Sequence, residues 1–216
     1  MNKIYNVKNL NEFYGFDVYY ETNIYKFLCC KRLNKKVLKK MNDDIKFTTY
    51  NQWEKYIQSK YKRNISILKN YEEEKDAYYY YVLGNEYSRI KDFENAIASY
   101  EKSIKVLDMK YNYLFYPCLI LNTVKAYSNT RQFYKSLRFI ESIKSTTPNF
   151  KDLYFMECLA YIECGKVSKA LESINNYINC PPEKIYKYPN NNFDNIYDIN
   201  ELKERLIRAN ILNYYE

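Results

Sequence analysis

The sequence predicts an all-α chain: a solenoid of antiparallel helix hairpins, preceded by a helical extension and closed by a C-terminal capping helix. Two observations carry that expectation. A set of small and aromatic residues, spaced for two closely crossing helices, recurs after 40 residues and again after 34. On either side of the recurring part, apolar residues also fall at helical spacing.

The recurring part begins at Ala77 and reads AYYYYVLGNEYSRIKDFENAIASYEKSIKVLDMK. Gly84 and Ala96 are small, as two helices that cross closely require, and Tyr87, Phe93 and Tyr100 fill the space around the crossing. Asp92 suits the N-cap of the second helix, with Glu94 and Asn95 in its first turn. Moving Gly84, Tyr87, Phe93 and Ala96 on by 40 residues gives Val124, Tyr127, Phe133 and Ser136. A further 34 gives Cys158, Tyr161, Val167 and Ala170. Pro148 and Pro182 are also 34 apart, each just past an expected second helix, where proline suits a stop. The units are therefore 77–110, 117–150 and 151–184. The segment YNYLFY at 111–116 is extra and is expected to lengthen the helices on either side of it.

The spacing of Leu83-Gly84, Tyr87, Phe93, Ala96 and Tyr100 resembles a tetratricopeptide repeat, and the resemblance covers about half of the chain, 77–184. It implies a superhelix whose concave face is lined by the first helix of each unit. It also implies a groove for an extended peptide, with asparagines gripping the peptide backbone through their paired donor and acceptor. By motif register the groove residues are Tyr81, Asn85, Ser88 and Arg89 in the first unit. Asn122, Lys125 and Asn129 follow in the second, then Phe155, Met156 and Leu159 in the third. Tyr81, Asn85, Arg89, Asn122 and Lys125 form the candidate peptide-binding set. Asn85 and Asn122 stand where carboxylate-clamp members of the family carry asparagines. Tyr81, Asp152 and Met156 stand in place of that clamp's basic partners, so the resemblance implies an aromatic and amide groove for a peptide of mixed polarity. The stretched first junction also resembles the repeat domains of bacterial regulators that sense peptide pheromones, although residues 1–76 hold no helix-turn-helix pattern.

Residues 1–76 form the extension. One helix is expected from about Asp17 to Met41 and another from Thr49 to Tyr71. The second opens on Thr49-Tyr50-Asn51-Gln52, a capping-box pattern, and carries the stripe Tyr50, Trp53, Ile57, Tyr61, Ile65 and Leu68. This hairpin would cover the open N-terminal face of the stack. At the other end, 185–216 comprise an asparagine-rich loop and a capping helix from Ile199 to Asn213. That helix has Leu202, Leu206, Ala209 and Leu212 on one face.

Composition removes most chemistry. The chain has no histidine, which excludes histidine acid–base catalysis, Ser-His-Asp triads and HExxH zinc sites. Gly15, Gly84 and Gly165 are too far apart for a phosphate-cradling loop. The carboxylate runs at Asp43-Asp44 and Glu72 to Glu74 lie in polar surroundings that suit solvated surface. Cys29, Cys30, Cys118, Cys158, Cys164 and Cys180 contain no CxxC pair and read as reduced thiols. No enzyme activity, cofactor or metal is expected. No apolar run nears the roughly 20 residues that span a bilayer, and the start has no secretory pattern. The expectation is a cytoplasmic adaptor with a protein or extended peptide as partner.

Charge offers an alternative. The net charge is +8, and Lys26 to Lys40 hold seven basic residues (Lys26, Lys31, Arg32, Lys35, Lys36, Lys39 and Lys40) and no acidic ones. On a helix, Cys30, Leu33, Val37 and Met41 would face inward and most of these cations outward. Such a face suits nucleic-acid phosphates or an acidic protein, and equally a plain solvated surface. A stack that self-associates as a homo-oligomer is the remaining alternative.

Overall fold

A computed structural model of the chain describes residues 5–6, 46–47, 50–71, 75–108, 114–181 and 198–212. The expected helix from Asp17 to Met41, the basic stretch Lys26–Lys40, Cys29-Cys30, both carboxylate runs and the asparagine-rich loop lie outside these residues. The described helices are α1 (Tyr50–Lys69), α2 (Ala77–Arg89), α3 (Phe93–Val106), α4 (Tyr116–Asn129), α5 (Phe133–Lys144), α6 (Lys151–Glu163), α7 (Val167–Asn179) and α8 (Ile199–Leu212). Two short strands, β1 (Tyr5–Asn6) and β2 (Lys46–Phe47), pair antiparallel with Tyr5 opposite Phe47. They leave the class all-α.

Local chemistry explains where several helices begin. Asp76 accepts a hydrogen bond from the Tyr79 N–H at 2.8 Å, and Asp92 accepts one from the Asn95 N–H at 3.3 Å. Each satisfies a donor that a helix start leaves orphaned. Pro117 occupies the first turn of α4, where its missing N–H costs nothing.

Three hairpins follow, α2/α3, α4/α5 and α6/α7, and one turn closes all of them. Lys91, Arg131 and Gly165 occupy equivalent positions with φ of 63°, 57° and 68°. The next residue in each turn, Asp92, Gln132 or Lys166, donates its N–H to the carbonyl of Tyr87, Tyr127 or Tyr161 at 3.0, 2.9 and 2.9 Å. Lys91, Arg131 and Gly165 donate to Ser88, Ser128 and Ile162 at 3.0, 3.0 and 2.9 Å. This is the Schellman pattern, which satisfies the last carbonyls of a helix and reverses the chain.

The connections between hairpins do not share this frame. The extra residues were expected to lengthen the flanking helices, and the structure corrects that in part. Leu114 and Phe115 form a turn and only Tyr116 enters a helix. α3 has 14 residues against 12 in α5, and α4 has 14 against 13 in α6, so part of the added length is helical. Leu107 leaves α3 in an extended conformation and Pro117 sets the start of α4.

The hairpins stack in order, with α1 packed on α2 and α8 on α7. Tyr61, Ile65 and Leu68 of α1 are buried against the first hairpin, and the Tyr79 hydroxyl donates to the Leu68 carbonyl at 2.9 Å. At the far end Ile199 and Leu206 bury the inner face of α8, and Leu202 packs beside them. Enclosing each such side chain contributes about 1.5–3 kcal/mol. Among the described residues no helix is long and apolar enough to cross a membrane.

Candidate functional site

The site is built on a close approach. A Cβ placed on Gly84 would overlap the ring of Tyr100, so α2 and α3 meet through a glycine against an aromatic face. Ala96 is wholly buried at the same crossing. With its ring held there, Tyr100 places its hydroxyl 2.8 Å from Asn85 Oδ1, to which it donates. Asn122 on α4 donates its Nδ2 to the same oxygen at 3.0 Å. Two hydrogen bonds thus commit the Asn85 carbonyl and join the first helices of neighbouring hairpins. The amide's Nδ2 carries the remaining two donors and makes no hydrogen bond among the described residues.

Lys125 lies three residues after Asn122 on α4. Burial lowers the proton affinity of its ammonium, and the charges of Asp152 on α6 and Cys118 on α4 pull it back up. Burial pushes the Cys118 thiol up, offset by the neighbouring Tyr81 hydroxyl and the charge of Lys125. Tyr81, Asn85, Cys118, Asn122, Lys125 and Asp152 therefore form one connected group across α2, α4 and α6. It offers amide donors and a partly desolvated cation, a combination suited to carbonyl or carboxylate oxygens.

The five candidate residues have different fates. Asn85 and Asn122 come together and Lys125 lies with them. Tyr81 is 0% exposed, stacked on Phe115 at a centroid distance of 5.1 Å. It is a floor beneath the group, because four tyrosines in succession cannot all face out of a helix. Arg89 turns toward the N-terminal helix, with Nη1 3.2 Å from the buried carboxylate of Glu86 and its guanidinium 4.8 Å from the centre of the Tyr61 ring. Glu86 also accepts from Asn64 of α1 at 2.8 Å. Arg89 thus serves the α1–α2 contact. Sequence reasoning missed that Tyr100 anchors Asn85. It also missed Cys118, which carries no signal of its own.

No protein-family model and no curated protein matches the sequence. Among solved structures, the chain is similar to the first tetratricopeptide domain of the human RPAP3 protein. Identity is 17% and TM-score 0.50, over 66% of this chain and 98% of that one. It is also similar to the Sgt2 tetratricopeptide domain from Aspergillus fumigatus, with 17% identity, TM-score 0.48, and 65% and 82% of the two chains covered. MamA from Desulfovibrio magneticus RS-1 gives 16% identity and TM-score 0.48 over 76% and 96%. At these identities the likeness is one of fold.

Proposed function

We propose that this chain, which has the tetratricopeptide-repeat fold, is a cytoplasmic protein- or peptide-binding scaffold working through the first helices of its hairpins. The observation that supports this most is the Asn122–Asn85–Tyr100 bridge. It fixes an amide donor across two neighbouring units, where an extended chain crossing α2 and α4 would present its carbonyl oxygens in succession. Lys125, whose charge is partly desolvated, adds a preference for a segment with a carboxylate among its side chains. Tyr81 underlies the contact and Arg89 closes its edge toward α1.

The test is a displayed library of random extended peptides selected against the intact chain, followed by anisotropy measurements on variants. Asn122→Ala should weaken a selected peptide by roughly 5- to 150-fold, the worth of one hydrogen bond in a desolvated groove. Helicity and melting temperature should barely change. Asn85→Ala should also weaken binding, with a loss of stability because the buried Tyr100 hydroxyl loses its Asn85 acceptor. Lys35→Glu and Lys39→Glu serve as controls. If they abolish binding while Asn122→Ala leaves it intact, the first-helix reading is wrong and the basic stretch is the working surface.

A further inference from the structure

A second region of the stack carries its own chemistry. The second helices of the last two hairpins, α5 and α7, diverge enough to leave a cleft of about 670 Å³ floored by α6. Its cations come from separate parts of the chain: Arg138 from the outer stripe of α5, Lys166 from the turn before α7, and Lys169 from the first turn of α7. None of the three forms an ion pair among the described residues. Glu141 is the one wall carboxylate not already paired with a cation. Lys144 does not add to the excess, because its ammonium lies 2.7 and 2.8 Å from the two oxygens of Glu157, which also accepts from Ser173 at 2.9 Å. The floor is electrically closed and the mouth is not.

We infer that this cleft is a second docking site, separate from the Asn85–Asn122 face, and that it receives an acidic segment of a partner polypeptide. Three cations against one carboxylate repel one another in a partly enclosed space, and several spaced carboxylates relieve this better than one small anion. The cleft is open along one side and its volume has room for a few residues of extended chain. Tyr134, 60% exposed at the rim, and Tyr161 supply apolar contact for side chains between the acids. A peptide fits better than single-stranded nucleic acid for one reason. Lys166 sits over the Tyr134 ring at 5.2 Å and Lys169 over Tyr161 at 5.6 Å, so one face of each ring on which a base would stack is engaged. The two sites are independent in geometry, because Glu157 and Tyr161 share one face of α6 and Asp152 lies on another.

The probe is a fluorescein-labelled peptide rich in Asp and Glu with interspersed Leu, titrated into the full chain by anisotropy. Its Asn/Gln counterpart and labelled oligouridylate run in parallel. The acidic peptide should bind at least tenfold more tightly than its amide counterpart and weaken as salt rises. Arg138→Glu with Lys169→Glu should reduce binding tenfold or more, and Asn122→Ala should leave it unchanged. Should the charge-reversed chain lose helicity, Arg138→Gln with Lys169→Gln gives the same comparison with a smaller loss. Equal binding of the amide peptide, insensitivity to the cleft substitutions, loss on Asn122→Ala, or tighter binding of oligouridylate would each overturn the proposal. Loss of library-peptide binding on Asn122→Ala with retention of acidic-peptide binding separates this site from the first-helix reading.

Discussion

The first and third hairpins follow the same backbone path and fill it differently. In α2/α3 the crossing pairs a glycine with a tyrosine: Gly84 yields the space, and Tyr100 fills it and reaches on to Asn85. In α6/α7 the equivalent positions are Cys158 and Ile174, both wholly buried, and the second hairpin uses Val124 and Ile140. As one helix gains volume at this point its partner gives some up, and the total stays near what the crossing holds. What repeats is therefore a pair of complementary volumes rather than a residue type. Only the glycine–tyrosine version carries a hydroxyl at the crossing. It is also where the amide bridge to the neighbouring unit is built.

Exchanging the fillings would break this account most directly. Gly84→Val should destabilise the chain by about 3 kcal/mol in urea denaturation, since the Tyr100 ring cannot move without abandoning its hydrogen bond. Adding Tyr100→Ile reproduces the Val124–Ile140 pair in the first hairpin and should recover at least half of that loss. Simple additivity of the two changes would show that the volumes are not coupled.

A smaller difference appears with alkali. The Cys158 thiol is pushed up to about 12, by burial first and then by the charge of Glu157, whereas the first hairpin has a glycine there. The unfolded thiol titrates near roughly 8.5. Because the folded value is raised, this group's contribution is fully present below that pH and is lost as pH climbs toward the folded value. Urea midpoints should be flat up to roughly pH 8.5 and then decline, with Cys158→Ala declining less steeply than the parent chain.

The gentlest test compares the turns. Lys91 and Arg131 hold a left-handed conformation that suits Gly165. Lys91→Gly and Arg131→Gly should each raise stability by about 0.5–1 kcal/mol, because the relieved strain outweighs the added freedom of the unfolded chain. Gly165→Ala should lower it by a similar amount. If thermal melts show no gain at either of the first two positions, the strain is being relieved by neighbours.

The hairpins were legible because their determinants recur at fixed separations: Gly84, Tyr87, Phe93 and Ala96 return as Val124, Tyr127, Phe133 and Ser136 at helix positions that face each other. The stripe Tyr61, Ile65 and Leu68 announced α1 by the same logic. The end of α3 and the start of α4 were not legible, because Tyr, Leu and Phe prolong a helix as readily as they pack a connection. In the candidate site, the motif register placed Asn85 and Asn122 on neighbouring helices, but not the Tyr100 hydroxyl that commits the Asn85 carbonyl. Tyr81 and Arg89 show the limit of register: it specifies a helix face, while the burial of Tyr81 by Phe115 and the contact of Arg89 with Tyr61 depend on other elements of the chain. The cleft was hidden because Arg138 and Lys169 are unremarkable cations until α5 and α7 are brought side by side.

The shared turns also divide the connections into two kinds. Within a hairpin, three linking residues are locked into one hydrogen-bonded frame, so the rotational phase of the second helix about its axis is set by residue count. One residue inserted beside Lys91 would swing α3 by about 100°, taking Tyr100 away from Gly84 and turning its polar side inward. Between hairpins no such frame recurs among the described residues, and the helices that flank the longer first junction are each slightly longer than their counterparts. Change in length can therefore accumulate only between hairpins, where it alters the spacing of successive units and leaves the interior of each one in phase.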